Sequence, residues 1–239
     1  MKIDIETLGK IRKLGLPERQ ENNDSLAYSC YGDGVRADGK FNIKVYSGKR
    51  GLTVVTNDDH TFRCLLNGES TQPKEVKRTI SIDDSGVGFL LGGVLCGIHD
   101  SHDDSITTRV IEVKFFQGDN RHRKKYLDAY GKEAVRVVED RHPDKATTLI
   151  RICTGFVNTK AKEALRKLGY FVEVCEIKGK LQDELESLHK KYIESTYGYK
   201  GYIDPKGKTG HELSREFHKL KRWVYENRKQ RCCKSDWGL

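Results

Sequence analysis

Residues 81–97 read Ser81-Ile-Asp-Asp-Ser-Gly-Val-Gly-Phe-Leu-Leu-Gly-Gly-Val-Leu-Cys-Gly97. Two adjacent acids, Asp83 and Asp84, close a β-branched run. A Gly-x-Gly turn follows at once, and a second apolar run starts at Gly93. Neighbours in a strand point to opposite faces, so the two carboxylates can share one metal only where the strand ends or twists. Gly86 and Gly88 permit that bend, and they let backbone N–H groups approach a phosphate or ribose closely. The plainer reading is an acidic turn between two strands, capped by Asp83.

Working outward, residues 79–83, 93–99 and 109–116 read as three strands. Residues 124–141 follow as a helix, with Tyr126, Tyr130, Ala134, Val137 and Val138 on its apolar side. Then come a strand (148–153), a helix (159–168), a strand (171–177) and a helix (180–193). A basic helix over about 211–230 closes the chain. Strands followed by alternating helices and strands predict a mixed α/β (α+β) sheet with flanking helices. Upstream, residues 1–24 read as a short helix or arm. Runs at 26–31, 41–46, 52–56 and 61–66 predict a small antiparallel sheet, with Phe41, Ile43 and Val45 on its buried face. Residues 68–77 are polar and contain Pro73. The expected organisation is an N-terminal unit (1–70), a linker (71–78) and a larger domain (79–239).

The 239 residues carry 44 Lys+Arg against 35 Asp+Glu, a net charge of +9. Ten Lys/Arg and three Glu fall within residues 206–234, so most of the excess sits near the C-terminus. Arg121, Arg123, Lys124 and Lys125 form a second knot. Two basic clusters suggest a polyanion partner, nucleic acid being the commonest, while a solvated helix face is the plain alternative. No apolar run reaches about 18 residues, so no transmembrane helix is expected. The first residues, MKIDIETLGKIRKLG, alternate acids and bases and are unlike a secretory signal. Seven cysteines without C-x-x-C spacing fit a reducing cytoplasm.

The segment Asp83-Asp84-Ser85-Gly86-Val87-Gly88 resembles the Asp-Glu-x-Gly-x-Gly signature of type 2 and type 3 ribonucleases H. The likeness spans about residues 79–230. It continues in Lys200-Gly201-Tyr202 followed by His211, where that family has a Lys-Gly-Tyr segment and a His-bearing helix. The small N-terminal sheet, with its Tyr46-Ser-Gly-Lys turn, is similar to the TBP-like substrate-binding domain that precedes the catalytic domain in type 3 enzymes.

The resemblance implies a ribonuclease H-like fold and a metal-dependent endonuclease that cuts the RNA strand of RNA/DNA hybrids. In that family four acids bind two Mg²⁺ ions, and Mn²⁺ is the alternative cofactor. Clustered acids need such a cation to offset their repulsion. By position, Asp83 is the central ligand and Asp84 stands where the family has Glu. At the end of the strand 149–153 the family has Asp-Gly and this chain has Thr154-Gly155. The last acid belongs on the helix after the final strand, where Asp183 and Glu184 both qualify. Leu181, Leu185, Leu188 and Tyr192 share one helix face; Glu184 lies about 70° from its centre and Asp183 almost opposite, which favours Glu184. Glu112, Glu173 and Glu176 are candidates for the missing acid. Glu176 is favoured, with an edge-strand salt bridge as the alternative role. Nucleic-acid contacts are expected from Gly86, Val87, Gly88, Arg121, Arg123, Lys124, Lys200, Tyr202, Lys206 and Lys208. The tyrosine is expected to pack on a ribose. Two alternatives stand: a binder on the same fold that has lost efficient catalysis, motivated by Thr154, and a nuclease acting on DNA.

Overall fold

The computed structural model describes residues 1–14, 16–18, 25–32, 41–56, 59–68, 73, 75–202 and 209–235. The fold is α+β, built on two sheets, each with its own apolar core. In the N-terminal sheet β1 (Lys2–Ile3), β4 (Gly51–Thr56), β3 (Phe41–Gly48) and β2 (Leu26–Gly32) lie side by side, all antiparallel. Helices α1 (Ile5–Arg12) and α2 (Asp59–Asn67) accompany it. Phe41, Ile43 and Val45 alternate inward as expected and pack with Ile11 and Phe62.

Residues 61–66 are helical, which corrects the expected strand. Phe62, Leu65 and Leu66 recur at i, i+3 and i+4 and share one helix face. In so short a run that spacing and a buried strand look alike in sequence.

The second sheet has the order β7-β6-β5-β8-β9. Its strands are β5 (Arg78–Ser85), β6 (Val94–Asp100), β7 (Ser105–Ile111), β8 (Thr148–Cys153) and β9 (Phe171–Cys175). The first three are antiparallel neighbours, and β8 and β9 run parallel to β5. β5 is therefore the central strand, and its C-terminal end carries both acids. The third strand begins earlier than residue 109, because the tight turn after Asp100 pairs Ser105 with it. Residues 113–116, expected within that strand, form a 3₁₀ turn.

One face of this sheet packs against α4 (Lys125–Glu139) and α5 (Thr159–Lys167), with α3 (Gly118–His122) preceding α4. Ile80, Ile82, Ile150 and Ile152 meet Tyr130, Ala134, Val137 and Val138 there. The strand alternation and the helical spacing of those residues are why this core forms. The opposite face receives α6 (Lys180–Tyr197). Helix α7 (Gly210–Glu226) starts from a capping box in which Thr209 accepts from the Glu212 N–H and the Glu212 carboxylate accepts from the Thr209 N–H. Trp223 anchors α7 against Tyr199, with ring centres 5.0 Å apart, whereas Tyr225 is 49 % exposed.

The far end of β5 is clamped by charge. Asp100 is fully buried and takes the guanidinium of Arg78 and, at 2.9 Å, that of Arg141. Burial pushes its carboxyl up, but the hydrogen bonds from Arg78, the His102 N–H and Arg141 win and hold it at about 2. This ties β5, β6 and the end of α4 on the side away from the candidate site. No helix among the described residues is long and apolar enough to cross a membrane.

Candidate metal centre

The register pairs Ile82 with Ile152 across β5 and β8. One step further, the ends of the two strands bring Asp83 and Cys153 together. The carboxylates of Asp83 and Asp84 and the thiol of Cys153 lie within 4.8 Å of one another. Asp83 is buried, and its backbone carbonyl accepts from the buried Tyr130 hydroxyl at 3.0 Å. Its Oδ1 accepts the Asp84 N–H at 2.9 Å. The side chain of Asp84 turns instead to Asn158, whose Nδ2 donates to Asp84 Oδ1 at 3.0 Å. Gly155 leaves room for that carboxylate, since a Cβ there would sit 2.9 Å from Asp84 Oδ1. The two carboxylates therefore come together near the C-terminal end of β5, just beyond its last pairing with β8.

The electrostatics follow from burial. Burial and then the charge of Asp83 push the Asp84 carboxyl up to about 6, against the Asn158 hydrogen bond and Lys162. Burial likewise raises Asp83, against its hydrogen bonds with Cys153 and the Asp84 N–H. The Cys153 thiol is pushed up to about 11, chiefly by burial. Among the described residues no ion pair reaches Asp83 or Asp84 within 4.0 Å. Buried carboxylates without a cation in contact are costly, so the pair is a ready ligand for a positive charge. Two carboxylates suit Mg²⁺ or Mn²⁺, which bind oxygen through few protein ligands and complete their shells elsewhere.

Glu184 and Glu176 are not part of this group. Glu184 and Asp183 are both exposed on α6. The buried seam of that helix is Leu181, Leu185, His189 and Ile193, which turns Glu184 about 120° from its centre. Glu176 is exposed and pairs with Lys178 at 3.0 Å. Glu173 pairs with Arg151, and Glu112 with Lys114. Thr154 is exposed, and its carbonyl accepts from Lys162. Cys153 carries no signal in a reading built on carboxylates. Its place at the end of β8 was visible in the sequence.

The turn beside the acids is tightly held. Gly86 has φ +94, and an added Cβ would run into His189 Nε2. His189, not singled out from sequence, is fully buried; its Nδ1 meets the Tyr202 hydroxyl at 3.0 Å. Burial and then the charge of Lys234 pull its imidazole down to about 4, so it is neutral near pH 7. Phe89 stacks beside Tyr202, ring centres 4.8 Å apart. From the other side Lys234, also buried, donates Nζ to the carbonyls of Gly86 (2.9 Å) and Phe89. Val87 and Gly88 stay exposed at the tip. A cavity of about 600 Å³ opens next to the turn, lined among others by Ser85, Gly86, Glu186, Tyr202 and Phe217.

In the basic knot Arg123 and Lys124 are exposed and Arg121 is half-buried. Lys124 lies 5.4 Å from the ring centre of Phe156, itself 59 % exposed and two residues from Thr154. Lys200 is exposed. Lys206 and Lys208 lie outside the described residues. Compared with known proteins, the chain matches no family model and no curated protein.

Proposed function

We propose that the protein is a metal-dependent endonuclease of ribonuclease H type that hydrolyses the RNA strand of RNA/DNA hybrids in the cytoplasm. The observation that carries this reading is the convergence of Asp83 and Asp84 at the end of the central strand, directly before the Gly86-Val87-Gly88 turn. The sheet order, with three antiparallel strands followed by two parallel ones, also supports it. Seven free cysteines fit a reducing compartment.

In this reading Asp83 and Asp84 hold Mg²⁺ or Mn²⁺, and Asn158 orients Asp84. A bound divalent cation activates water and stabilises the leaving oxygen. The N–H groups at residues 86–88 face the ribose hydroxyls, and Tyr202, braced by His189 and Phe89, packs on a sugar. Arg123 and Lys124 meet phosphates, and Phe156 offers an exposed ring beside them.

The test is cleavage of labelled duplexes with Mg²⁺ and with Mn²⁺: RNA/DNA hybrid, DNA with a single ribonucleotide, and all-DNA. The expected result is cutting confined to RNA-containing strands, abolished in Asp83→Asn. Cutting of all-DNA to the same extent would move the substrate to DNA. One observation favours a second reading. With Thr154, Glu184 and Glu176 exposed and outside the group, two carboxylates meet among the described residues, which suits a hybrid-binding protein with weak or no catalysis. Salt-sensitive hybrid binding without metal-stimulated cleavage would establish that reading.

A further inference from the structure

We propose that Asp83, Asp84 and Cys153 together form a mixed carboxylate–thiolate site that takes a borderline divalent cation, Zn²⁺ or Co²⁺, with Cys153 Sγ as a ligand. The proposal goes beyond the nuclease reading, which places Mg²⁺ or Mn²⁺ on the two acids; it concerns binding and stands without catalysis.

Donor count is the first argument. For Mg²⁺, which takes oxygen, the described residues bring two protein ligands to this point, because Glu176 and Glu184 are exposed and turned away. For Zn²⁺ or Co²⁺ they bring three, since these ions accept thiolate sulfur as readily as carboxylate oxygen. Three protein ligands and an open fourth position is the arrangement of zinc sites that bind exchangeable groups, as opposed to closed structural sites. The ligand atoms already lie within 4.8 Å of one another. Tetrahedral coordination at about 2.0–2.3 Å needs them only modestly closer.

Support around the ligands is the second argument. Metal ligands are commonly oriented by a surrounding layer of hydrogen bonds. Asn158 is fully buried and holds Asp84 through Nδ2, while Oδ1 of the same amide has no hydrogen-bond partner among the described residues. That unspent acceptor beside the acids is what a group bound at the centre would satisfy. Tyr130 fixes the backbone of Asp83 from below. Binding releases the Cys153 proton and forms a metal–sulfur bond without any change of oxidation state.

Titration of the full chain with Co²⁺ reads this directly, because cobalt bound to thiolate shows a near-ultraviolet sulfur-to-metal charge-transfer band. The band is expected in the wild type, to be displaced by Zn²⁺, and to disappear in Cys153→Ser. Zn²⁺ affinity in that variant should fall more than about tenfold while Mn²⁺ binding changes little. Cys232→Ser/Cys233→Ser should leave the band intact. A wild type without the band, or a Cys153→Ser protein that keeps it, overturns the proposal. Should Cys153→Ser fail to fold, Asp84→Asn serves in its place, and an unchanged Co²⁺ affinity there overturns it equally. Loss of hybrid cleavage with the band present would sink the nuclease reading alone; cleavage with Mg²⁺ and no band would sink this proposal alone.

Discussion

Asp84 and His189 titrate in opposite senses over nearly the same pH range. Burial and the neighbouring Asp83 raise the Asp84 carboxyl from 3.8 to about 6. Its neutral form is favoured by folding, so stability from this group is lost as pH rises from about 4 to 6. His189 is lowered from 6.5 to about 4, so its contribution is present above about 6.5 and lost as pH falls towards 4. Each shift corresponds to about 3 kcal/mol, and the two nearly offset. Asp84→Asn removes one side of the balance. With chelator present to keep metal out, denaturant unfolding should show the variant gaining about 3 kcal/mol on the wild type between pH 4 and 6. Parallel curves would mean that Asp84 is charged at little cost. His189 also marks where residue-level reading fell short. Histidine counts as polar, so the apolar face read from sequence omits it, and the face centre shifts far enough to aim Glu184 at the acids. Asp83 and Asp84 were legible because a strand ending in two acids before a Gly-x-Gly turn leaves few other conformations.

At the scale of elements, the C-terminal strap does the work that a loop next to a site usually leaves undone. The chain after α7 pairs with residues 90–92, through the Lys234 N–H to the Leu90 carbonyl and the Gly92 N–H to the Cys232 carbonyl. The Gln117 side chain donates to the carbonyls of Arg231 and Cys233. The strap thus joins the turn at residues 86–89 to the start of the basic knot. Its key is Lys234, whose ammonium is spent on two carbonyls of that turn. Lys234→Met keeps the apolar stem but leaves the Phe89 carbonyl without this donor and the Gly86 carbonyl with the Phe89 N–H alone. The expected loss is about 1–3 kcal/mol, with faster amide hydrogen exchange at residues 86–93 and little change in the N-terminal sheet. Uniformly faster exchange would assign Lys234 a general role in stability. None of this was readable in advance, because the tail showed only positive charge. Elements with a clean period were readable: β8 begins and ends where its alternation does, and α4 follows its 3.6-residue spacing. Where a run was short, as at residues 61–66, packing on the neighbouring sheet decided.

Two clusters of positive charge stand out on the whole molecule, and they make different claims on a polyanion. The knot holding Arg123 and Lys124 reaches the exposed ring of Phe156, just beyond the end of β8 that carries Cys153. Residues 206–234 contribute +7 of the net +9, and Arg222, Arg228 and Arg231 are exposed on or just after α7. Exposed charge alone does not distinguish a binding face from a solvated helix, which is why sequence left both readings open. Salt dependence does. Each phosphate contact removed lowers the slope of log affinity against log salt by about 0.9 on a duplex. In the Asp83→Asn background, Arg123→Ala/Lys124→Ala should reduce the slope for an RNA/DNA hybrid by about 2. If the duplex also runs along α7, Arg222→Ala/Arg228→Ala/Arg231→Ala should reduce it by nearly 3. A slope untouched by the triple substitution but lowered by the double one would confine the duplex to the knot and the acids, leaving the basic tail a solvated surface. A slope untouched by either would mean that neither cluster binds the hybrid, and the charge argument for nucleic acid would fall.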